Sequence, residues 1–145
     1  SLCRKAYGAQ TEAGYWPEGG GFDTHYQAIS LIYLCYALIT AEGAEVKSML
    51  QCALAQGFDW LAGKIAEDGT VDCSGNTRKC WVRAPAQSEE IRSGDFLPVS
   101  FALTLWGEIT RDARWQTLAD RVEEWARHEE TVGPNLWERR IGREE

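Results

Sequence analysis

Between Thr24 and Ala41 nearly every position is apolar or small. Ile29, Leu31, Ile32, Leu34, Cys35, Ala37, Leu38 and Ile39 cover almost every face of a helix, a pattern that predicts a helix buried all round. The texture changes after a break at Glu42-Gly43. Val46, Leu50, Leu54, Phe58, Leu61 and Ile65 recur every three or four residues over 44–66. That is one apolar stripe with polar residues opposite, the pattern of an outer helix. The same two textures then return in the same order. Residues 96–110 are apolar all round, from Phe96, Leu97 and Val99 to Leu105, Trp106 and Ile109, with Pro98 in the first turn, where a missing N–H is tolerated. Residues 113–129 carry a single stripe of Trp115, Leu118, Ala119, Val122, Trp125 and Ala126. Residues 1–13 have room for a short helix, and the tail from Val132 is left unassigned.

The two hairpins echo each other. Ile39-Thr40 closes the first apolar helix as Ile109-Thr110 closes the second, and Leu54, Phe58, Leu61 and Ala62 match Leu118, Val122, Trp125 and Ala126 in spacing. A helical hairpin repeated at this period predicts a repeat-type architecture; similarity between any two amphipathic helices is the alternative. The expected fold is all-α: one domain over 1–145, built of antiparallel helical hairpins with alternating inner and outer helices. A long loop, 67–95, separates the hairpins. It has turn sequences at Asp68-Gly69, Ser74-Gly75-Asn76 and Ser93-Gly94, and Thr70–Asp72 suits a short extended piece.

Composition narrows the partners. The 145 residues carry a net charge of −7, which argues against nucleic acid. An anionic polysaccharide is repelled at long range unless Arg78, Arg83 and Arg92 form a local basic patch. The longest apolar run, Ile29–Ile39, is too short to span a membrane. The N-terminus shows neither a signal-peptide pattern nor an initiating Met, as in a processed or trimmed chain. Five cysteines are an odd number: Cys35 and Cys52 fall within helices as small core residues, Cys73 and Cys80 bracket a loop and are close enough in sequence to pair, and Cys3 remains. With His25 and His128 the only histidines and no ligand spacing, neither a metal nor a cofactor is expected. Trp16, Trp81 and Trp137 fall in loops, where a large ring serves as a contact surface. Inner helices this apolar predict self-association into a homo-oligomer.

The densest chemistry lies in Gly14–Gln27, GYWPEGGGFDTHYQ. Three glycines allow a sharp bend, and Asp23 or Thr24 can cap the helix that follows. Around the bend stand Tyr15, Trp16, Glu18, Asp23, His25, Tyr26 and Gln27, aromatic, acidic and hydrogen-bonding groups of the kind that meet a polyhydroxylated ligand. The glycines follow no strand and have no downstream Lys-Ser/Thr, so a phosphate loop is excluded.

With its alternating inner and outer helices, and with GYWPEGGGFDTHYQ and DGTVDCSGNTR as Gly-rich loops, the chain resembles the (α/α) toroid domains of polysaccharide lyases and six-hairpin glycoside hydrolases over about Tyr15–Glu129. The resemblance is architectural. It implies a carbohydrate ligand and a reaction of elimination or hydrolysis. Two hairpins are fewer than a closed toroid needs, so the chain is a piece of such a domain, a small relative that self-associates, or an unrelated bundle.

If the helices alternate up and down, the two inner helices run parallel and the loops before them share one end. Those loops hold Glu18, Asp23, His25, Tyr26, Asp72, Asn76, Arg78 and Asp95. For elimination beside a uronic-acid carboxyl, Asn76, Arg78 or His25 would neutralise the developing charge, and Tyr26 or His25 would act as base. For hydrolysis, two facing carboxylates would come from Glu18, Asp23 and Asp72. Trp16, Glu18, Asp23 and Asp72 are the expected ligand contacts; His25, Tyr26, Asn76 and Arg78 are the expected catalytic group. Against this stand plain structural roles: Asp23 and Thr24 as caps, Asn76 as a turn residue, Arg78 as an ion-pair partner. The alternative function is a non-catalytic interaction or assembly module.

Overall fold

The computed structural model describes residues 2–73, 75–77 and 97–132. They form five helices: α1 (Leu2–Ala9), α2 (Thr24–Thr40), α3 (Ala44–Ala62), α4 (Leu97–Thr110) and α5 (Ala113–Val132). Among the described residues, β pairing is confined to isolated bridges, so the class is all-α. The helix of α3 stops at Ala62, earlier than the stripe through Ile65 predicts. There the chain doubles back: Asp72 N–H donates to Lys64 O at 2.7 Å and Ala66 N–H to Thr70 O at 2.9 Å. Ile65 therefore faces Val71 across a tight turn while still packing on the core. Apolar spacing alone does not tell a helix's last turn from a turn that folds the next apolar residue back under it.

Each inner helix packs on its outer partner, α2 on α3 and α4 on α5. The two inner helices pack on each other, and α1 lies against α3. Phe58 ties the hairpins together. Its ring stacks on Trp106 at 5.1 Å between centroids and tilts against Trp115 at 5.8 Å, contacts worth about 0.5–1.5 kcal/mol each beyond the area they bury.

These contacts also fix direction. Gln27, in the first turns of α2, donates to the carbonyl of Gly57 near the end of α3, so α2 and α3 are antiparallel. Phe58 meets Trp115 early in α5, and Gly69, beyond the end of α3, lies against the backbone of Arg121 and Val122 further along α5. Advancing along the 58–69 segment and along α5 leads toward the same end, so α5 runs with α3. The short Arg111-Asp112 turn reverses the chain between α4 and α5, which makes α4 parallel to α2. The starts of α2 and α4 share one end of the bundle.

The inner helices are not buried all round. Thr24, Gln27, Ala28, Leu31, Cys35 and Leu38 form the buried side of α2, but Tyr33 is 71 %, Tyr36 49 % and Ile39 58 % exposed. On α4, Leu97 is 64 % and Phe101 48 % exposed. Among the described residues, the outer helices cover one side of the α2/α4 layer, and the other side keeps an apolar surface. Cys35 is fully buried, and burial pushes its thiol up to about 12, leaving it an inert core residue. Cys52 differs from expectation: it lies on the exposed side of α3, off the 50–54–58–61 stripe. Cys80, and with it the Cys73–Cys80 pairing, lies outside the described residues. Among the described residues no helix is long and apolar enough to cross a membrane.

Candidate functional site at the start of α2

The glycine run makes a two-residue hairpin. Glu18 and Gly21 exchange N–H···O bonds of 3.0 and 3.2 Å, and Gly19 and Gly20 between them have φ of 61° and 90°. Two consecutive left-handed residues are the geometry of a tight hairpin turn, which glycine adopts without steric cost. The hairpin delivers Phe22 to the 72–77 segment. Thr77 N–H donates to Phe22 O at 2.9 Å, the Thr77 hydroxyl donates to Glu18 O at 2.6 Å, and Phe22 bridges to Asn76. Two segments some fifty residues apart are thus sewn into one surface.

The start of α2 is capped twice. Asp23 has extended backbone and its carboxylate accepts from the Tyr26 N–H at 3.0 Å, the usual N-cap arrangement. Asn76 supplies the second cap from the other segment. Its Oδ1 accepts both the Thr24 N–H, at 3.1 Å, and the Thr24 hydroxyl, at 2.8 Å; the same hydroxyl also reaches Asp72 O at 3.4 Å. Two donors onto one atom identify that atom as the oxygen of the amide. Behind the cap, buried Gln27 accepts from Trp16 N–H at 3.1 Å and donates to Gly14 O at 3.1 Å.

The expected residues divide by what they touch. Asp23 is nearly fully buried and committed to the cap; Asn76 Oδ1 is committed to Thr24. Trp16 is not the exposed loop ring expected from its position. It is half-buried against the core, and its indole N–H donates to Ala6 O at 2.7 Å, which pins α1 to the loop. Its ring lies over Gly57. His25 and Tyr26 stand half-buried in the first turn of α2, their rings edge to face at 5.7 Å. Glu18 sits at the hairpin and Asp72 at the exposed edge of the second segment. Arg78, Asp95, Trp81 and Trp137 lie outside the described residues.

A further group completes this end of the bundle. Tyr15, Phe22 and Trp60 pack with centroids 5.3 to 5.8 Å apart. Lys64 Nζ lies 4.3 Å from the centre of the Phe22 ring and 5.4 Å from that of Trp60, within cation–π range, and 4.0 Å from a carboxylate oxygen of Asp72. Trp60 and Lys64 were not singled out by motif. The signal was available in their spacing: four residues apart, Trp60 in the last turn of α3 and Lys64 just past it, they come to the end where the antiparallel α2 begins. Thr77 offered no such signal, because a single Thr in a loop has many roles.

Among the described residues, this end of the bundle carries aromatic edges, the Lys64 cation, the acidic Glu18 and Asp72, and an imidazole next to a phenol in the first turn of α2, whose N-terminus already holds the Asp23 carboxylate. Among the described residues no group of three His, Cys, Asp or Glu is placed to hold a metal ion. The chain matches no protein-family model, no curated protein and no solved structure.

Proposed function

We propose that the end of the bundle at the start of α2 binds a saccharide, with His25 and Tyr26 facing the ligand, and that the domain is of carbohydrate-active type. The observation that carries this reading is the joining of the 18–27 and 72–77 segments into one hydrogen-bonded surface. It brings Glu18 and Phe22 against Thr77 and Asn76, and His25 and Tyr26 follow directly in the first turn of α2. The burial of Asp23 in its cap leaves Glu18 and Asp72 as the carboxylates for a hydrolytic pair. Elimination from a uronic-acid unit fits better. His25 would take the proton beside the sugar carboxyl, and Tyr26 would give one to the departing glycosidic oxygen as that C–O bond breaks and the ring double bond forms. Arg78 follows directly after Thr77 and is the proposed neutraliser of the carboxyl.

Calorimetric titration with uronic-acid oligosaccharides, and with neutral ones of equal length, tests the reading. Binding of the uronate series is expected, with His25→Ala and Tyr26→Phe each weakening it by tenfold or more and leaving the melting temperature unchanged. Ultraviolet absorbance of an unsaturated product would report elimination. Absence of binding in both series, or variants that bind as tightly as the parent, would refute it.

A further inference from the structure

Among the described residues, the side of the α2/α4 layer away from α3 and α5 exposes apolar residues that the proposed ligand site does not use. Its five exposed apolar residues fall into two patches. Tyr33, Tyr36 and Ile39 occupy the C-terminal half of α2; Leu97 and Phe101 occupy the N-terminal turns of α4. Since α2 and α4 run parallel, the patches lie at opposite ends of the same face, one on each helix.

We propose that this face is the interface between two copies of the chain. A twofold axis lying in the plane of the face, perpendicular to the line joining the patches, sets Tyr33, Tyr36 and Ile39 of one copy on Leu97 and Phe101 of the other, and repeats the contact symmetrically. That is the self-complementarity an isologous dimer requires. Charge points to the same occupant. No Asp, Glu, Lys or Arg occurs in α2, and α4 has Glu108 alone, in a chain of net charge −7. A partner steered and oriented by charge finds here only Glu108, already paired with Arg111 of its own chain at 3.1 Å, whereas two copies bury apolar patches against each other. The area suffices: side chains of this size and exposure present on the order of 500 Å² of largely apolar surface, the core of an interface that needs about 800 Å² per partner. The remainder comes from the half-buried positions flanking the patches. This interface is independent of the saccharide reading, since none of its residues belongs to the ligand surface.

Sedimentation velocity of the chain from low to high micromolar concentration tests the proposal, at low and at high salt. A twofold mass is expected at the upper concentrations. Raising the salt should tighten the dimer, because it screens the repulsion between two copies of charge −7. Tyr33→Glu and Phe101→Glu should each shift the chain to monomer with an unchanged helical circular dichroism spectrum, since both side chains are exposed. A chain that stays monomeric throughout overturns the proposal and leaves the face to its own 78–96 segment or to a further hairpin of a longer chain. A dimer that survives both variants, or one that weakens as salt rises, overturns it as well.

Discussion

Replacing Asn76 with Ala separates the two roles the sequence allows this residue. In the structure its Oδ1 is the acceptor for both the N–H and the hydroxyl of Thr24, a residue 1 % exposed. Truncation leaves a buried helix-terminal N–H without its acceptor, which costs about 1–3 kcal/mol. The hydroxyl loses its 2.8 Å partner but keeps the carbonyl of Asp72 at 3.4 Å, so it adds only a fraction of the ~1 kcal/mol of an ordinary hydrogen bond. The expected loss is about 1–3 kcal/mol, centred near 2. With a urea dependence of roughly 2 kcal/mol per molar for a domain of this size, the midpoint falls by about 1 M. Urea titration followed by far-ultraviolet circular dichroism measures this directly. Asn76→Asp retains an acceptor and places negative charge at a helix N-terminus, so it should recover much of the loss. An Ala variant within about 0.5 kcal/mol of the parent, or an Asp variant as unstable as Ala, would show that the cap carries no weight and that Asn76 is held for another purpose.

Two further outcomes follow from the turn after α3. Gly69 has φ of 89° and an added Cβ would collide with the backbone of Arg121 and Val122, so Gly69→Ala should destabilise by more than about 3 kcal/mol in the same titration; a loss under 1 kcal/mol would mean that the turn does not rest on α5. Asp68 accepts the Thr70 N–H at 2.9 Å, and the backbone and hydroxyl of Thr70 hold its carboxyl below the usual carboxylate value. A depressed folded value gives stability that is complete above the unfolded value of about 3.9 and lost as pH falls through the folded one. The melting-temperature gap between the parent and Asp68→Ala should therefore close on acidification; a gap that widens would reverse the assignment.

Much of this protein is written locally. Apolar spacing sets four of the five helices to within a residue or a few at each end, and it sets their alternation as well, because an amphipathic stripe and an all-apolar segment are properties of ten to twenty consecutive residues. Asp23 as a cap and the glycine run as a bend were legible for the same reason: each acts on backbone a few residues away. Even the meeting of the 14–27 and 72–77 segments follows from helix alternation.

What the tertiary structure decided is the use of each polar group and the fate of each apolar face. Asn76, Gln27 and Trp16 read in sequence as ligand chemistry. In the fold, Asn76 Oδ1 caps Thr24, Gln27 bridges Trp16 and Gly14, and the Trp16 indole holds α1. A hydrogen bond is made by whichever donor the fold brings within 3 Å, and no local pattern names a partner fifty residues away. Likewise the apolar texture of α2 predicts burial for Tyr33, Tyr36 and Ile39, but burial depends on what lies opposite. Among the described residues the two hairpins supply one covering layer, so the same hydrophobicity that places Leu31 in the core leaves Tyr33 in solvent.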